Sequence, residues 1–233
     1  MPKHALALTE ELTARTRRPI QDPGPVPGLP YLTDHDYDAV VRDTLARAGR
    51  DGLWLFAYGS LLWKPACEVG RTVDAVAYGW HRSFCITQLS HRGTPEVPGL
   101  MMALDRGGQC SGQIVRLGAR SLEASLHALF RREMVFKPPV NVPRWLTVRT
   151  AHGPAQALGF VVDRGHRLYR GRLPAEQVAA VLSRAVGHWG SGADYLRETV
   201  EQLETLGLRD RTLWRLQALV ADRIAAAAGS RAR

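Results

Sequence analysis

Phe56-Ala57-Tyr58-Gly59-Ser60-Leu61-Leu62-Trp63 is a short apolar strand that breaks abruptly into a Tyr-Gly-Ser-Leu loop. A strand delivers such a loop rigidly. Gly59 lets the backbone come close to a ligand, and Ser60 offers both a hydroxyl and an N–H. The same residues also fit an ordinary strand-to-loop turn, so their meaning depends on what surrounds them.

Around that stretch the chain reads as short apolar runs broken by Gly and Pro. The pattern predicts strands over 53–58, 71–77, 82–88, 99–104, 111–117, 145–150 and 156–162. Turn signals fall at Gly79, Pro95, Arg106-Gly107-Gly108 and Gly153-Pro154. Strands at such close intervals favour a curled antiparallel or mixed sheet. One helix interrupts them over 121–135, with Ser121 as its N-cap and Leu122, Leu126, Leu129 and Phe130 on one face. Upstream, Thr33-Asp34 can cap a helix to about residue 48, with Tyr37, Val40, Val41 and Leu45 at helical spacing. The C-terminal third reads as helices over 174–186, 194–206 and 210–228. Strands first and helices last imply an α+β fold.

Residues 1–32 close on Pro19, Pro23-Gly24-Pro25, Pro27-Gly28 and Pro30, which suggests an extended Pro-rich arm. The expected organisation is this arm, a single domain over 33–228 and a short tail over 229–233. A chain of 233 residues can bury one substantial core. No stretch approaches the 18 or so uninterrupted apolar residues that a bilayer requires, so no membrane association is expected. The first twenty residues hold Glu10, Glu11 and a Thr-Ala-Arg-Thr-Arg-Arg run rather than the apolar core of a secretory signal, which makes the cytoplasm the default location.

The net charge of +9 raises nucleic acid as a partner. The cations, however, are scattered, and only Lys3, Lys64 and Lys137 are lysines. No basic tract of the kind that grips phosphates appears, so no nucleic-acid partner is expected. The surplus favours an anionic small molecule through field focusing in a cleft. Cys67, Cys85 and Cys110 fit neither a disulfide framework nor a Cys-x-x-Cys site, and the histidines lack metal-ligand spacing. No metal or other cofactor is expected.

Glu133 is the acidic residue that draws attention, being the only one between Glu123 and Asp163. It lies near the C-terminal end of a helix, where the macrodipole disfavours a carboxylate, and an apolar setting would keep its proton affinity high. That suits general base work near neutral pH. The alternative is that it pairs with Arg131 or Arg132 on a solvated helix end. Arg92, in the loop His91-Arg92-Gly93-Thr94-Pro95-Glu96, can hold a carboxylate in a bidentate fork or tie the loop to backbone carbonyls. Within Tyr78-Gly79-Trp80-His81-Arg82-Ser83-Phe84, either His81 or Arg82 facing inward would be unexpected for a purely structural strand. Tyr195, taken alone, is a core aromatic with its hydroxyl at a rim. Ser60 sits in no Gly-x-Ser-x-Gly elbow, which makes it a weak nucleophile candidate. Gly107-Gly108 reads as a hairpin turn rather than an anion site.

Taken in order, these stretches resemble the ChaC-like family of glutathione-specific γ-glutamylcyclotransferases. The carrying segments are Phe-Ala-Tyr-Gly-Ser-Leu-Leu-Trp-Lys-Pro (56–65), Gly-Trp-His-Arg-Ser-Phe-Cys (79–85), His-Arg-Gly-Thr-Pro-Glu-Val-Pro-Gly (91–99), Leu-Asp-Arg-Gly-Gly-Gln-Cys-Ser-Gly (104–112), Arg-Arg-Glu-Met (131–134) and Asp-Tyr-Leu-Arg-Glu-Thr-Val (194–200). The resemblance implies a small barrel-like mixed β-sheet with flanking helices and a helical C-terminal third. It further implies that Tyr58, Gly59, Ser60 and Leu61 form the loop holding a γ-glutamyl group, that Glu133 is the catalytic acid/base, and that Tyr195 lies near the pocket. Two departures stand out. Ala57 replaces the glycine usual before the tyrosine, and Val135-Phe136-Lys137-Pro138-Pro139 replaces a frequent glycine and tyrosine. The implied reaction closes 5-oxoproline from glutathione and expels Cys-Gly, with no cofactor. The alternatives are a same-fold cyclotransferase for γ-glutamyl amines or other γ-glutamyl peptides, and a catalytically inactive basic binding protein.

Overall fold

The run that opens at Gly52 is the first of five strands: β1 (Gly52–Ala57), β2 (Thr72–Gln88), β3 (Gly99–Gly118), β4 (Asn141–Thr150) and β5 (Gly153–Val162). In the structure, a computed structural model that describes residues 5–68 and 70–231, they close into a barrel in the order β1, β3, β2, β4, β5. β1 pairs antiparallel with β3 from Gly52↔Gly118 to Ala57↔Gln113 and parallel with β5 at Leu55↔Leu158, so the sheet is mixed as expected. β4 and β5 form an antiparallel hairpin that turns over Ala151-His152, so the expected turn residues Gly153-Pro154 are instead the first paired residues of β5.

The described residues fall into two compact units, one within Gly28–Ser83 and Ala103–Tyr169 and the other within Met1–Pro27, Phe84–Met102 and Arg170–Arg233. The first holds β1, β4, β5 and the greater part of β2 and β3 with α2 (Asp34–Leu45) and α3 (Leu122–Glu133). Leu122, Leu126, Leu129 and Phe130 form the apolar face of α3, and all four are buried with Leu55, Leu158 and Phe160 in one core. Thr33 caps α2 in a reciprocal box with Asp36. Tyr37 of α2 donates its hydroxyl to the carbonyl of Met134 at 2.7 Å, fixing the end of α3.

The second unit holds α1 (Glu10–Ala14), α4 (Ala175–Leu182), a short β6 (Val186–Gly187) and β7 (Gly190–Ser191) pair, α5 (Gly192–Thr205) and α6 (Arg211–Arg231). The N-terminal segment was expected to be extended, yet it carries a five-residue helix capped by Thr9. It is anchored firmly within this unit. Leu8 is fully buried, its N–H donates to Gln217 Oε1 at 2.8 Å, and Arg17 reaches Asp194 with two hydrogen bonds of 2.8 and 3.1 Å. The first four residues of the expected arm and the last two of the expected tail lie outside the described residues.

Four local expectations are corrected. The runs 71–77 and 82–88 are one strand, as are 99–104 and 111–117, so seven predicted strands become five. Gly79, Gly107 and Gly108 take positive φ of 79°, 110° and 67°, but the chain does not reverse there. β2 and β3 run unbroken through these glycines, and His81 Nδ1 lies 3.0 Å from the carbonyl of Gly107, joining the two strands beside them. Ser121 makes no capping hydrogen bond, because a 3-10 turn over Ala119–Ser121 leads into α3 instead. The helix predicted over 174–186 stops at Leu182, where the chain turns into β6.

Candidate active site

β1 ends at Ala57, and the next residues make the loop. Tyr58 and Leu61 are buried, and Ser60–Leu62 wind into a single 3-10 turn. The N–H groups of Leu62, Trp63 and Lys64 bond back to the carbonyls of Gly59 and Ser60. Those of Gly59, Ser60 and Leu61 lie outside the turn's own bonds, as the first donors of any helical turn must. The loop is held from behind by Arg82, 5% exposed, whose Nε donates to the carbonyl of Tyr58 at 2.6 Å while its guanidinium also reaches the carbonyl of Ser111. Arg82 therefore faces inward, but on the evidence of these bonds its work is to fix Tyr58. His81 stays at the strand surface against Gly107.

Glu133 is the last residue of α3, and its side chain is only 16% exposed. Burial pushes its carboxyl up from the ordinary 4.5 to about 7, with Arg132 pulling the other way. The alternative of an ion pair on a solvated helix end is met only in its pairing with Arg132, because the Glu133 side chain is largely withdrawn from solvent. Arg131 is drawn off to Asp34 at 2.7 Å and over the Tyr37 ring at 4.7 Å, while Arg132 Nε stays 3.4 Å from Glu133 Oε1. A partner at that separation does not offset the loss of water, so the carboxyl retains a proton affinity matched to neutral pH.

Arg132 has a second task that the sequence did not disclose. One of its amino groups donates to Ser60 Oγ at 2.8 Å and the other to the carbonyl of Lys64, so a single guanidinium ties the loop after β1 to the end of α3. Asn141, the first residue of β4, is also new to the site: its Nδ2 lies 3.4 Å from Glu133 Oε2. The structure thus brings Tyr58, Gly59, Ser60, Leu61 and Glu133 into one arrangement within the barrel unit.

Arg92 and Tyr195 belong to the helical unit. There they meet each other, with the Arg92 guanidinium 4.8 Å from the centre of the Tyr195 ring. Arg92 Nη1 donates to the carbonyl of Ser191 at 3.0 Å, a bond that ties its loop to backbone. Tyr195 is buried and edge-on to Phe84. A cleft of about 570 Å³ in this unit is lined by Arg17, Arg18, Arg92, Trp189 and Asp194 among others. Its arginines are engaged already, Arg17 with Asp194, Arg18 with the carbonyl of Arg184 and Arg92 with that of Ser191.

All three cysteines are free thiols, and among the described residues no group of His, Cys, Asp or Glu is placed to hold a metal ion. Among the described residues no helix is long and apolar enough to cross a membrane.

A model of ChaC-like proteins matches residues 53–223, nearly three quarters of the sequence. The chain belongs to the ChaC-like family. Within it, the glutathione-specific gamma-glutamylcyclotransferase of Escherichia coli is 36% identical over 169 residues, 72% of each chain. The zebrafish (Danio rerio) glutathione-specific gamma-glutamylcyclotransferase 1 is 29% identical, over 66% of this chain and 80% of the other. Among solved structures, a yeast gamma-glutamyl cyclotransferase specific to glutathione superimposes with a TM-score of 0.67 at 17% identity, covering 74% of this chain and 96% of that one. The ChaC-like fold is therefore shared even where most side chains differ.

Proposed function

We propose that this ChaC-like chain cleaves glutathione to 5-oxoproline and Cys-Gly, with Glu133 as the single general acid and base. The observation that carries the reading is a carboxyl that holds its proton up to about pH 7, tied through Arg132 to a loop with N–H groups to spare. The α-amine of the γ-glutamyl group attacks its own γ-carbonyl carbon. One N–H proton passes to Glu133, a C–N bond closes the five-membered lactam, and the C–N bond to Cys-Gly breaks as Glu133 returns the proton to the leaving nitrogen. A group that must first accept and then donate works best with an affinity near the working pH.

Tethering nucleophile to electrophile removes most of the entropic barrier, with effective molarities on the order of 10⁵ M when the geometry is right. The protein's task is then to fold the substrate. The N–H groups of Gly59, Ser60 and Leu61 serve the α-carboxylate or the developing oxyanion, with Ser60 as a binding group rather than a nucleophile. The relatives from Escherichia coli and zebrafish carry glutathione in their names, which supports that substrate over other γ-glutamyl compounds. A small soluble substrate also fits the cytoplasmic location expected from the sequence.

The test is to incubate the purified chain with glutathione, γ-glutamylalanine and γ-glutamyl-lysine and assay 5-oxoproline. Release from glutathione well above the other two is expected. Preference for γ-glutamyl-lysine would move the assignment to γ-glutamyl amines, and no release from any would leave a binding protein.

A further inference from the structure

Asn141 is a buried side chain with one half of its amide committed and the other half empty. It is 8% exposed, its Nδ2 faces Glu133 Oε2 at 3.4 Å, and its Oδ1 is buried with no hydrogen-bond partner. The amide turns its nitrogen toward Glu133, the orientation that suits the ionised base because a carboxylate only accepts hydrogen bonds, and this leaves its oxygen on the other side of the same carbon. A buried acceptor without a donor is costly, and native structures rarely keep one that has no use. Asn141 opens β4 and pairs through its backbone with Val162, so the side chain is not needed to hold the strand.

We propose that Asn141 Oδ1 is the acceptor for the α-amine of the substrate and orients its lone pair toward the γ-carbonyl. The inference rests on the cyclotransferase reading above. An amine seated against Glu133 gives one N–H to the carboxylate and meets Oδ1 of the neighbouring amide with another. The neutral amine that attacks carries two N–H groups and one lone pair. Pinning an N–H on Asn141 restricts where that lone pair can point, which is the requirement for ring closure. The same contact makes a free primary α-amine a condition of tight binding, since a substrate lacking it leaves Oδ1 empty.

The experiment compares the wild type with Asn141→Ala and Asn141→Ser, using glutathione as substrate and glutaryl-cysteinylglycine, which is glutathione without its α-amine, as a competitive inhibitor. Asn141→Ala is expected to lower kcat/KM for glutathione by about tenfold or more, the size of one hydrogen bond to a charged group. Asn141→Ser, which keeps an oxygen, recovers part of that loss. The inhibition constant of the deaminated compound stays within about twofold of wild type, and the unfolding midpoint is unchanged or higher because an empty acceptor has been removed. Three results overturn the assignment: unchanged kcat/KM in Asn141→Ala, an equal loss of affinity for the deaminated compound, or a fall in stability that parallels the fall in activity. If the wild type itself releases no 5-oxoproline from glutathione, the cyclotransferase reading falls and this assignment with it. Turnover by the wild type with an indifferent Asn141→Ala removes the assignment alone.

Discussion

Arg132 donates to Ser60 Oγ at 2.8 Å, and through that bond the last turn of α3 holds the loop that follows β1. The same guanidinium sits 3.4 Å from Glu133 and is the charge that restrains its proton affinity. Geometry and acidity are therefore coupled in one side chain, and substitution can separate them.

Arg132→Ala removes both functions. The loop loses its anchor, which raises KM, and Glu133 loses its opposing charge, which moves the acidic limb of the kcat profile above about pH 7. Arg132→Lys keeps a positive charge but not the planar fork, so it should raise KM while leaving the acidic limb nearly in place. The profile is read from 5-oxoproline release between pH 5 and 9. A limb that stays put in Arg132→Ala would show that Arg132 does not act on the carboxylate.

Arg82 is buried and supports the carbonyls of Tyr58 and Ser111. Arg82→Met keeps the volume of the stem but removes the guanidinium donor from both carbonyls, at a total cost of about 1–3 kcal/mol. Denaturant unfolding should show a loss of at least that order, and kcat/KM should fall as Tyr58 loosens. Full stability in Arg82→Met would mean that the Tyr58 carbonyl is held by something else.

Much of this was legible before any coordinates. The apolar face of α3, the capping of α2 by Thr33 and the exit of β1 into Tyr58-Gly59-Ser60-Leu61 all follow from local periodicity and capping chemistry, which act over a few residues. Glu133 could be singled out because its helix-end position and lack of acidic neighbours are written in the sequence. The sequence does not distinguish the continuous strands at Gly79 and Gly107-Gly108 from turns, because a glycine that bends a strand and one that reverses it look alike until the partner strand is known. Arg132 and Asn141 stayed hidden for a related reason. Nothing local tells which of two adjacent arginines turns toward Ser60, and the seven residues between Glu133 and Asn141 give no signal that β4 returns to the helix end. Arg92 and Tyr195 were found as residues but not as a pair, since 103 positions separate a loop from a helix whose contact is purely tertiary.

Leu8 gives the N-terminal segment a measurable weight. It is fully buried, and the helix that follows it packs within the helical unit through Arg17–Asp194 and Arg197–Glu10 ion pairs. Leu8→Ala should cost about 2–5 kcal/mol, the range for emptying a buried leucine site. Denaturant unfolding checks this, and a change under about 0.5 kcal/mol would return the segment to the status of a loose arm.

Glu133→Gln separates catalysis from stability. Glutamine occupies the same space and can still accept from Asn141, but it cannot take up or return a proton, so 5-oxoproline release from glutathione should be lost while the fold is kept. Stability should move in the opposite direction, with a defined pH dependence. In the folded wild type the carboxyl holds its proton up to about pH 7, whereas in the unfolded chain it lets go near the ordinary 4.5. Between those values only the folded state carries the proton, so the wild type loses stability as pH rises through that window. Below about pH 4.5 both states are protonated and no penalty exists. Glu133→Gln never ionises. It should therefore be more stable than wild type by an amount on the order of 3 kcal/mol at pH 8, with the advantage shrinking toward zero at pH 4.5. Unfolding followed at both pH values, with activity measured on the same preparations, tests the two halves together. Near-normal turnover would remove Glu133 from the chemistry, and a stability difference that ignores pH would mean that its carboxyl is not the buried, proton-retaining group described above.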